Sequence, residues 1–242
     1  MNKIDTNNLP KHIGIIMDGN GRWAKTKGKL RLFGHKSGVK AVRETVEMSA
    51  QIGVKFLTLY AFSTENWSRP KSEVKSLMRL LISSINSETK TLLKNNIKLK
   101  TIGDANLLPQ DAKEQLNSSI KKTKNNNRMT LILALSYSGR WDIISAVKKI
   151  IKHKITSDKI DEQLFEQYLS TKNVPNPELL IRTSGEYRIS NFLLWQSAYS
   201  EFYFTDTLWP DFRKSDLEKA IIDFQSRERR FGNTVEQKNQ AC

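Results

Sequence analysis

Cysteine and histidine are scarce in this chain of 242 residues, which has one cysteine, Cys242, and three histidines. A single cysteine excludes a disulfide framework and the cysteine-based zinc and iron–sulfur sites, and it is typical of a reducing compartment. His12, His35 and His153 are too scattered along the chain to indicate a metal cluster, and we expect His12 and His153 at the surface. The fold must therefore depend on a packed apolar core.

Long hydrophobic runs are also absent. The longest apolar stretches, such as 56–62 and 129–135, are much shorter than the roughly 20 residues that a membrane-spanning helix needs. Residues 1–11 are polar and contain no apolar signal core, so we expect a cytoplasmic protein, with peripheral contact at the inner face of the membrane left open. The length favours one domain over 1–242, with flexible tails at about 1–10 and 234–242.

Negative charge is in the minority, because 25 Asp and Glu face 40 Lys and Arg and the net charge is +15. Such an excess predicts attraction to nucleic acid, to a membrane surface or to a phosphorylated substrate. Much of it is lysine in a Lys- and Asn-rich composition that is typical of solvated faces, so the total says little. The arginines are more informative, because several follow strand-like runs in polar or glycine-rich turns.

Six short apolar runs predict strands that are buried on both faces, at 13–17, 56–62, 97–102, 129–135, 179–182 and 202–204. Apolar residues at helical spacing follow, at 39–50, 74–85, 141–151, 164–169 and 217–224. Ser215 and Glu218 predict a capping box for the last helix, which Gly232 can end. This alternation predicts a single α/β domain with a mostly parallel central sheet of about six strands and helices on both faces.

Polar side chains collect where the predicted strands end, which is where ligands bind in such sheets. The first strand runs into residues 18–23, Asp-Gly-Asn-Gly-Arg-Trp. Two glycines let the backbone approach a phosphate, and Asp18 can hold Mg²⁺ against it. A tight turn is the alternative, since neither a Walker A loop nor a complete Gly-x-Gly-x-x-Gly motif is present.

Two further strand ends add polar groups. The second strand ends in residues 63–70, Ser-Thr-Glu-Asn-Trp-Ser-Arg-Pro, which hold more polar groups than a helix cap requires. Arg182 ends an apolar run, and Arg188 and Ser190 follow it. The planar fork of arginine suits the capture of phosphate oxygens. The residues alone therefore predict a pocket for one diphosphate, or two, with Mg²⁺.

Together these segments resemble the cis-prenyltransferases, the isoprenyl transferase family that includes bacterial undecaprenyl diphosphate synthases. The matching stretches are 12–38, 58–70, 138–143, 181–212 and 227–232, and DGNGRW and FSTENW are the most specific of them. The resemblance implies a doubly wound sheet, a homodimer, Mg²⁺ and a hydrophobic tunnel for the growing chain, with the sheet and the 74–85 helix as candidate walls. Sequence alone cannot separate tunnel from core.

The activity implied by the resemblance is the condensation of farnesyl diphosphate with successive isopentenyl diphosphates. Each new double bond is cis, and the product is a long-chain Z-polyprenyl diphosphate. For the bacterial enzymes this is undecaprenyl diphosphate, the carrier-lipid precursor for cell-wall synthesis. Release of a lipid product implies transient membrane contact. Product length and the preferred allylic primer are not readable from the sequence.

The resemblance also carries roles onto individual residues. Asp18 and Asn66 match the catalytic residues, Asn66 as proton acceptor, although a neutral amide relays a proton more easily than it removes one. Asp18 and Glu201 match Mg²⁺ ligands, and Arg230 and Gly232 match an element that reaches the partner subunit. The remaining substrate-binding residues are Gly19, Asn20, Gly21, Arg22, Trp23, Arg31 and His35 at the allylic diphosphate, Ser63, Thr64, Glu65, Trp67 and Arg69 at the reacting centre, and Arg182, Arg188, Ile189 and Ser190 at the isopentenyl diphosphate.

The sequence departs from the family pattern at two positions, and alternative functions have to be weighed. Ser138-Gly139 and Ser184-Gly185 stand where the family often has Gly-Gly, which is tolerable if the serines do not need a positive φ. Trans-prenyltransferases use Asp-Asp pairs, and the sequence contains none. A nucleic-acid-binding protein would use the net charge, but the arginines gathered at strand ends disfavour it and we expect no nucleic-acid partner. A non-catalytic partner subunit would lack the intact 18–22 loop.

Overall fold

A parallel sheet of six strands runs through the structure, a computed structural model that describes residues 4–229. In sheet order the strands are β3, β4, β2, β1, β5 and β6, and every neighbouring pair is parallel. The predicted fold class is therefore confirmed. The strands are β1 (His12–Ile16), β2 (Phe56–Ser63), β3 (Ile97–Ile102), β4 (Met129–Tyr137), β5 (Leu179–Thr183) and β6 (Glu201–Thr205).

Seven α-helices lie in the described part of the chain, two more than the sequence pattern predicts. Helix α1 was not predicted, because Gly19 and Gly21 indicate a turn. Helix α4 was not predicted, because its buried face is a narrow stripe that includes Ala112 and Leu116. The helices are α1 (Asn20–Thr26), α2 (Arg31–Ile52), α3 (Lys71–Lys94), α4 (Gln110–Thr123), α5 (Gly139–Lys152), α6 (Glu162–Tyr168) and α7 (Lys214–Gln225).

Helix α7 begins two residues earlier than the predicted capping box implies. Its capping residue is Arg213, whose backbone N–H donates to Asp216 Oδ2 at 3.0 Å, so the proposed Ser215–Glu218 box is wrong. The helix ends at Gln225, and Gly232 lies outside the described residues. Gln225 Nε2 also donates to the backbone oxygens of Asp5 and Asn8 at 2.6 and 2.9 Å, which holds part of the expected N-terminal tail against α7.

Apolar side chains cover both faces of the sheet. Along β1, Ile13 and Ile15 pack with α2, α3, α4 and α7 on one face, while Ile16 points to the other. There it meets Leu180 and Phe192, and α5 and α6 cover a neighbouring cluster around Phe165. Adjacent residues of a strand point to opposite faces, so continuous apolar runs become strands buried on both sides.

His12 is buried, with 1% of its surface exposed, so its expected surface position is wrong. Its Nδ1 lies 2.6 Å from the oxygen of Pro175, and its Nε2 lies 2.7 Å from Thr58 Oγ1. Burial lowers the pKa of His12 to about 4, against the opposing influence of the Pro175 hydrogen bond and the charge of Glu178. The ring is therefore neutral and bridges two segments of the core.

Helix α1 lies directly against α2. A Cβ atom on Gly34 would stand 1.9 Å from the backbone oxygen of Asn20, and one on Gly38 would stand 2.6 Å from Asn20 Oδ1. Any side chain at these positions would force the two helices apart. Within residues 4–229, no helix is both long enough and apolar enough to cross a membrane.

Candidate active site

Asp18 and Arg182 meet at the carboxyl edge of the sheet. Strands β1 and β5 are neighbours, with Ile16 opposite Arg182, so the residues that follow β1 lie beside the end of β5. Arg182 Nη2 donates to Asp18 Oδ2 at 3.0 Å, and the backbone N–H of Gly19 donates to Oδ1 at 2.7 Å. The structure therefore brings together the first and third of the polar segments that the sequence singles out.

The Asp18 carboxyl is held ionised at neutral pH. Partial burial alone would raise its pKa, but the hydrogen bonds from Arg182 and Gly19, with the charges of Arg182 and Arg22, lower the pKa below its usual value. Arg22 Nη2 lies 3.6 Å from Asp18 Oδ2. An ionised carboxylate beside two guanidinium groups can bind a divalent cation while the guanidinium groups bind the anion that the cation accompanies.

Arg182 is the most buried cation of the site, with only 4% of its surface exposed. Its Nη1 donates to Ser190 Oγ at 2.7 Å and to the backbone oxygen of Arg188 at 2.5 Å. Its Nε finds no acceptor among the described residues. A buried donor without a partner is costly, so this guanidinium is suited to an anionic ligand.

Glu186 occupies the space between two further guanidinium groups. Its carboxylate lies 3.1 Å from Arg22 Nη2 and accepts a hydrogen bond from Arg188 Nη1. Arg22 also donates to the hydroxyl of Ser184, whose φ is 80°. Ser184 therefore does adopt the left-handed backbone that glycine favours, whereas Ser138, with φ of −153°, does not.

A second cationic cluster lies where α2 and α3 begin. Arg31 is the first residue of α2 and His35 lies within that helix, which therefore begins eight residues before the predicted 39–50 segment. Glu73 Oε1 lies 3.8 Å from Arg31 Nε and accepts a hydrogen bond from Arg69 Nη1 at 3.2 Å. Burial, and then the charges of Arg69 and Arg31, lower the pKa of His35 to about 4. This excess of positive charge favours an anion.

The segment after β2 forms a 3-10 turn, Thr64–Ser68. The side-chain oxygen of Asn66 accepts a hydrogen bond from the backbone N–H of Ser63 at 3.1 Å. Trp67 packs against Phe62 with ring centres 5.0 Å apart, and its Nε1 donates to Ser136 Oγ at 3.1 Å. The side-chain oxygen of Asn66 thus already accepts a hydrogen bond. This favours a role in relaying a proton over a role as the base that removes it.

Two cavities meet at Asp18. The first, which we call the polar cavity, has a volume of about 570 Å³ and is lined by Asp18, Ser63, Glu65, Asn66, Arg69, Arg182 and Ser190, among others. The second, which we call the apolar tunnel, has a volume of about 270 Å³ and runs between the sheet, α2 and α3. Asp18, Tyr60, Asn66 and Arg69 line both. Asn20, Gly21, Arg31 and His35 line the tunnel mouth.

Several predicted residues line neither cavity. Arg22 contacts Asp18, and Arg188 contributes its backbone oxygen to Arg182, so both belong to the site. The Trp23 ring stacks on the Phe33 ring with centres 5.9 Å apart, and Ile189 packs against the apolar cluster of Ile16, Leu180 and Phe192. The substrate roles of the full set stay predictions, and those outside the cavity linings are Gly19, Arg22, Trp23, Thr64, Trp67, Arg188 and Ile189.

Glu201 lies away from Asp18 within one chain. It begins β6 opposite Leu179, the first residue of β5, so it stands about 13 Å from the carboxyl edge at 3.3 Å per residue. Its carboxylate pairs with Arg227 Nη1 at 2.8 Å. The role of Glu201 as a Mg²⁺ ligand stays a prediction. Over residues 4–229, no three His, Cys, Asp or Glu side chains form a metal-binding group. Arg230, which was expected to reach the partner subunit, lies outside the described residues.

Three residues with polar side chains line the polar cavity but carry no role in the sequence-based prediction: Tyr60, Arg140 and Asn191. The Asn191 side chain donates to Glu65 Oε1 at 2.8 Å and accepts from the backbone N–H of Arg140 at 2.9 Å. It thereby connects the ends of β2, β4 and β5. Arg140 follows β4 directly, so extending the strand-end argument to the fourth strand would have identified it.

The chain is similar to known proteins over nearly its whole length. The family model described as "Putative undecaprenyl diphosphate synthase" matches residues 16–232. An isoprenyl transferase of Chlorobaculum tepidum is 56% identical over 233 residues, covering 95% of this chain and 88% of that protein. A ditrans,polycis-undecaprenyl-diphosphate synthase ((2E,6E)-farnesyl-diphosphate specific) of Pasteurella multocida is 52% identical, covering 98% and 100%.

A solved structure shares the fold closely. The lavandulyl diphosphate synthase of Lavandula x intermedia, in complex with dimethylallyl diphosphate, superposes with a TM-score of 0.90 at 39% sequence identity. The similarity covers 93% of this chain and 99% of that one. The arrangement of strands and helices described above is therefore shared with a protein that binds an allylic diphosphate.

Proposed function

Because the chain belongs to the undecaprenyl diphosphate synthase family, and is therefore an isoprenyl transferase, we propose that it extends farnesyl diphosphate with successive isopentenyl diphosphates to undecaprenyl diphosphate. The observation that carries the proposal is the position of Asp18. It lies among guanidinium groups and borders both the polar cavity and the apolar tunnel. A diphosphate can therefore be bound where an apolar chain can leave it.

The residues present fit a Mg²⁺ ion. Mg²⁺ in proteins is usually held by one or two carboxylates together with substrate phosphates and water, and Asp18 supplies one ionised carboxylate at the edge of the cavity. Asp18 would hold the ion beside the allylic diphosphate. When bound there, Mg²⁺ neutralises negative charge that develops on the leaving diphosphate.

The allylic diphosphate would bind to Arg22, Arg31 and the neutral ring of His35. These groups are positioned before substrate arrives, since Asp18, Glu186 and Glu73 hold the guanidinium groups in place. As the carbon–oxygen bond breaks, charge grows on the departing oxygens. Donors that are already oriented stabilise this charge without reorganisation, which lowers the barrier.

The isopentenyl diphosphate would bind to Arg182, Arg188 and Ser190 in the polar cavity. Holding it there places its terminal double bond against the allylic carbon, so that the new carbon–carbon bond forms as diphosphate leaves. The proton lost from the adjacent carbon passes through the Asn66 amide to water or to the departing diphosphate. The extended chain then occupies the apolar tunnel.

A homodimer, transient membrane contact and a cytoplasmic location are part of the same proposal. Strand β6 is the edge of the sheet, and its Phe202 and Phe204 rings stack 6.1 Å apart and are only half-buried. An exposed edge with aromatic side chains is suited to a second copy of the chain. Glu201 lies on this same strand, where a partner's groups could complete a site.

The Asp18→Asn variant tests the function. It removes the negative charge and keeps the shape, so we expect incorporation of labelled isopentenyl diphosphate into polyprenyl product to fall by about 10²–10³-fold. Asp158→Asn, an exposed change outside the lining of both cavities, is the matched control and should retain full activity. Undiminished turnover by Asp18→Asn would overturn the role of this carboxylate.

A further inference from the structure

The corner that joins helices α1 and α2 exposes apolar side chains. Leu30, which directly precedes α2, has 85% of its surface exposed and is the most exposed large apolar residue within residues 4–229. Phe33, in the first turn of α2, is 43% exposed, and its ring stacks on the Trp23 ring. We call residues 23–33 the basic corner. A single exposed apolar residue is ordinary, whereas several at one corner indicate a contact surface.

The charge around this corner has one sign. From residue 19 to residue 43 the sequence has eight Lys and Arg and no Asp or Glu. Half of these cations pair with carboxylates from outside that stretch: Arg22, Arg31, Lys40 and Arg43. The others are exposed and form no ion pair with a described residue: Lys25, Lys27, Lys29 and Lys36. Their charge is therefore available to an anionic partner.

The lysines and the apolar side chains of the basic corner are interleaved. Lys27 Nζ lies 4.8 Å from the centre of the Trp23 ring, and Lys29 Nζ lies 5.9 Å from the centre of the Phe33 ring. Leu30 follows Lys29 directly. Lysines beside Trp, Phe and Leu are the composition of segments that lie in a membrane interface, where the rings reach the headgroup level and the ammonium groups meet lipid phosphates.

Backbone hydrogen bonds fix the shape of the corner. The N–H groups of Gly28 and Lys29 donate to the backbone oxygens of Lys25 and Ala24 at 3.0 and 2.9 Å. Gly28 has a φ of 63°, a conformation that favours glycine. Leu30 is therefore presented by a formed turn, which loses little conformational entropy when the corner binds a surface.

The basic corner borders the mouth of the apolar tunnel. Gly21 lies two residues before the corner and Arg31 lies within it, and both line the tunnel. An apolar product that leaves by this mouth has to enter a lipid phase. A bilayer bound at the corner would lie next to the point of exit.

We propose that the basic corner docks on an anionic lipid bilayer, with Leu30 and Phe33 inserted at the headgroup level and the lysines on lipid phosphates. The inference deepens the proposed function and rests on it for the need for membrane contact. A nucleic acid would also attract the lysines, but the Trp23 and Phe33 rings stack on each other and an exposed leucine gains little from phosphates. A second copy of the corner would bring like charges together.

The test measures co-sedimentation with vesicles in the absence of substrate. The vesicles are phosphatidylcholine with about 30% phosphatidylglycerol, and the readout is the partition coefficient of each variant. We expect Lys25→Gln/Lys27→Gln/Lys29→Gln to lower it about 10²-fold, because each lysine near an anionic surface adds to binding. Leu30→Ser should lower it about tenfold, because the inserted apolar surface is lost. Vesicles of phosphatidylcholine alone should bind the wild type and the triple variant equally weakly.

The matched control is Lys121→Gln/Lys122→Gln/Lys124→Gln, which removes the same charge from exposed positions at the end of α4 and should bind like the wild type. Every variant should retain, within twofold, the condensation of isopentenyl diphosphate in detergent, which shows that it is folded. Equal losses in the two triple variants, or wild-type binding by Leu30→Ser, would overturn the inference. A stronger affinity of the wild type for a single-stranded oligonucleotide than for the vesicles would also overturn it. Absence of polyprenyl product from the wild type would instead overturn the proposed function.

Discussion

The polar cavity and the apolar tunnel share Asp18 and Asn66, yet they are built in opposite ways. The polar cavity takes its charged and amide groups from short contiguous segments at the ends of β1, β2, β4 and β5. The tunnel takes single side chains from many turns of α2 and α3 and from strands β2, β3 and β4. A segment of adjacent polar residues is visible in a sequence, whereas a wall assembled by packing is not.

The two regions also differ in how strongly their side chains are fixed. In and beside the polar cavity, Arg182 has three partners, and Asp18 and Glu186 each contact two guanidinium groups. The tunnel wall has aliphatic side chains that face an open volume. Loss of one group should therefore be severe in the first region and mild in the second.

The largest effect is expected from Arg182→Met. It removes the buried guanidinium group that orients Asp18, Ser190 and the Arg188 backbone, so we expect kcat/KM for isopentenyl diphosphate to fall about 10³-fold. The pKa of Asp18 should also rise, which moves the acid limb of the pH–rate profile to higher pH. Arg79→Met, an exposed change on α3, should leave both unchanged. An unmoved acid limb would contradict the assigned coupling.

The next effect contrasts the tunnel with the core. Leu57→Ala creates a cavity at a fully buried position of strand β2 and should lower the free energy of unfolding by about 3 kcal/mol. Leu81 is half-buried and lines the tunnel, so Leu81→Ala should cost less than about 1.5 kcal/mol. Urea unfolding of the two variants measures the difference. Equal losses would mean that the tunnel wall is packed as tightly as the core.

How much the sequence predicts follows from the same contrast. All six strands were predictable to within two residues, because strands buried on both faces are continuous apolar runs. The meeting of Asp18 with Arg182 follows from the strand-end rule. The position of Glu201 does not, because a resemblance carries no register and only the pairing with Leu179 shows which edge of the sheet it occupies. Leu77 and Leu81 look alike whether they line a tunnel or fill a core.

The smallest expected effect compares two histidines. Burial lowers the pKa of both His12 and His35 to about 4, but only His35 lies beside Arg31 and Arg69. Inorganic pyrophosphate bound to these arginines favours the protonated ring, so the pKa of His35 should rise by at least about one unit, or about 1.4 kcal/mol. The pKa of His12 should stay the same. Titration of both rings by NMR, with and without pyrophosphate, provides the measurement.

The same shifts fix the sign of an acid effect on stability. Because both rings have a lower pKa in the folded chain than the usual 6.5, the unfolded chain binds protons first as the pH falls. The stability that the two neutral rings contribute is therefore fully present above pH 6.5 and is lost as the pH falls from 6.5 to about 4. Pyrophosphate should reduce the part of this stability loss that comes from His35. The His12→Gln variant should lack the part that comes from His12.

The contact of Gly34 with the backbone of Asn20 has a mechanical consequence. With no side-chain layer between them, helices α1 and α2 pack backbone against backbone at this point. We expect a ligand between α2 and α3 that displaces α2 outward to displace α1, and with it Arg22, in the same direction. The close packing of α1 on α2 thus ties the position of Arg22 to the position of α2.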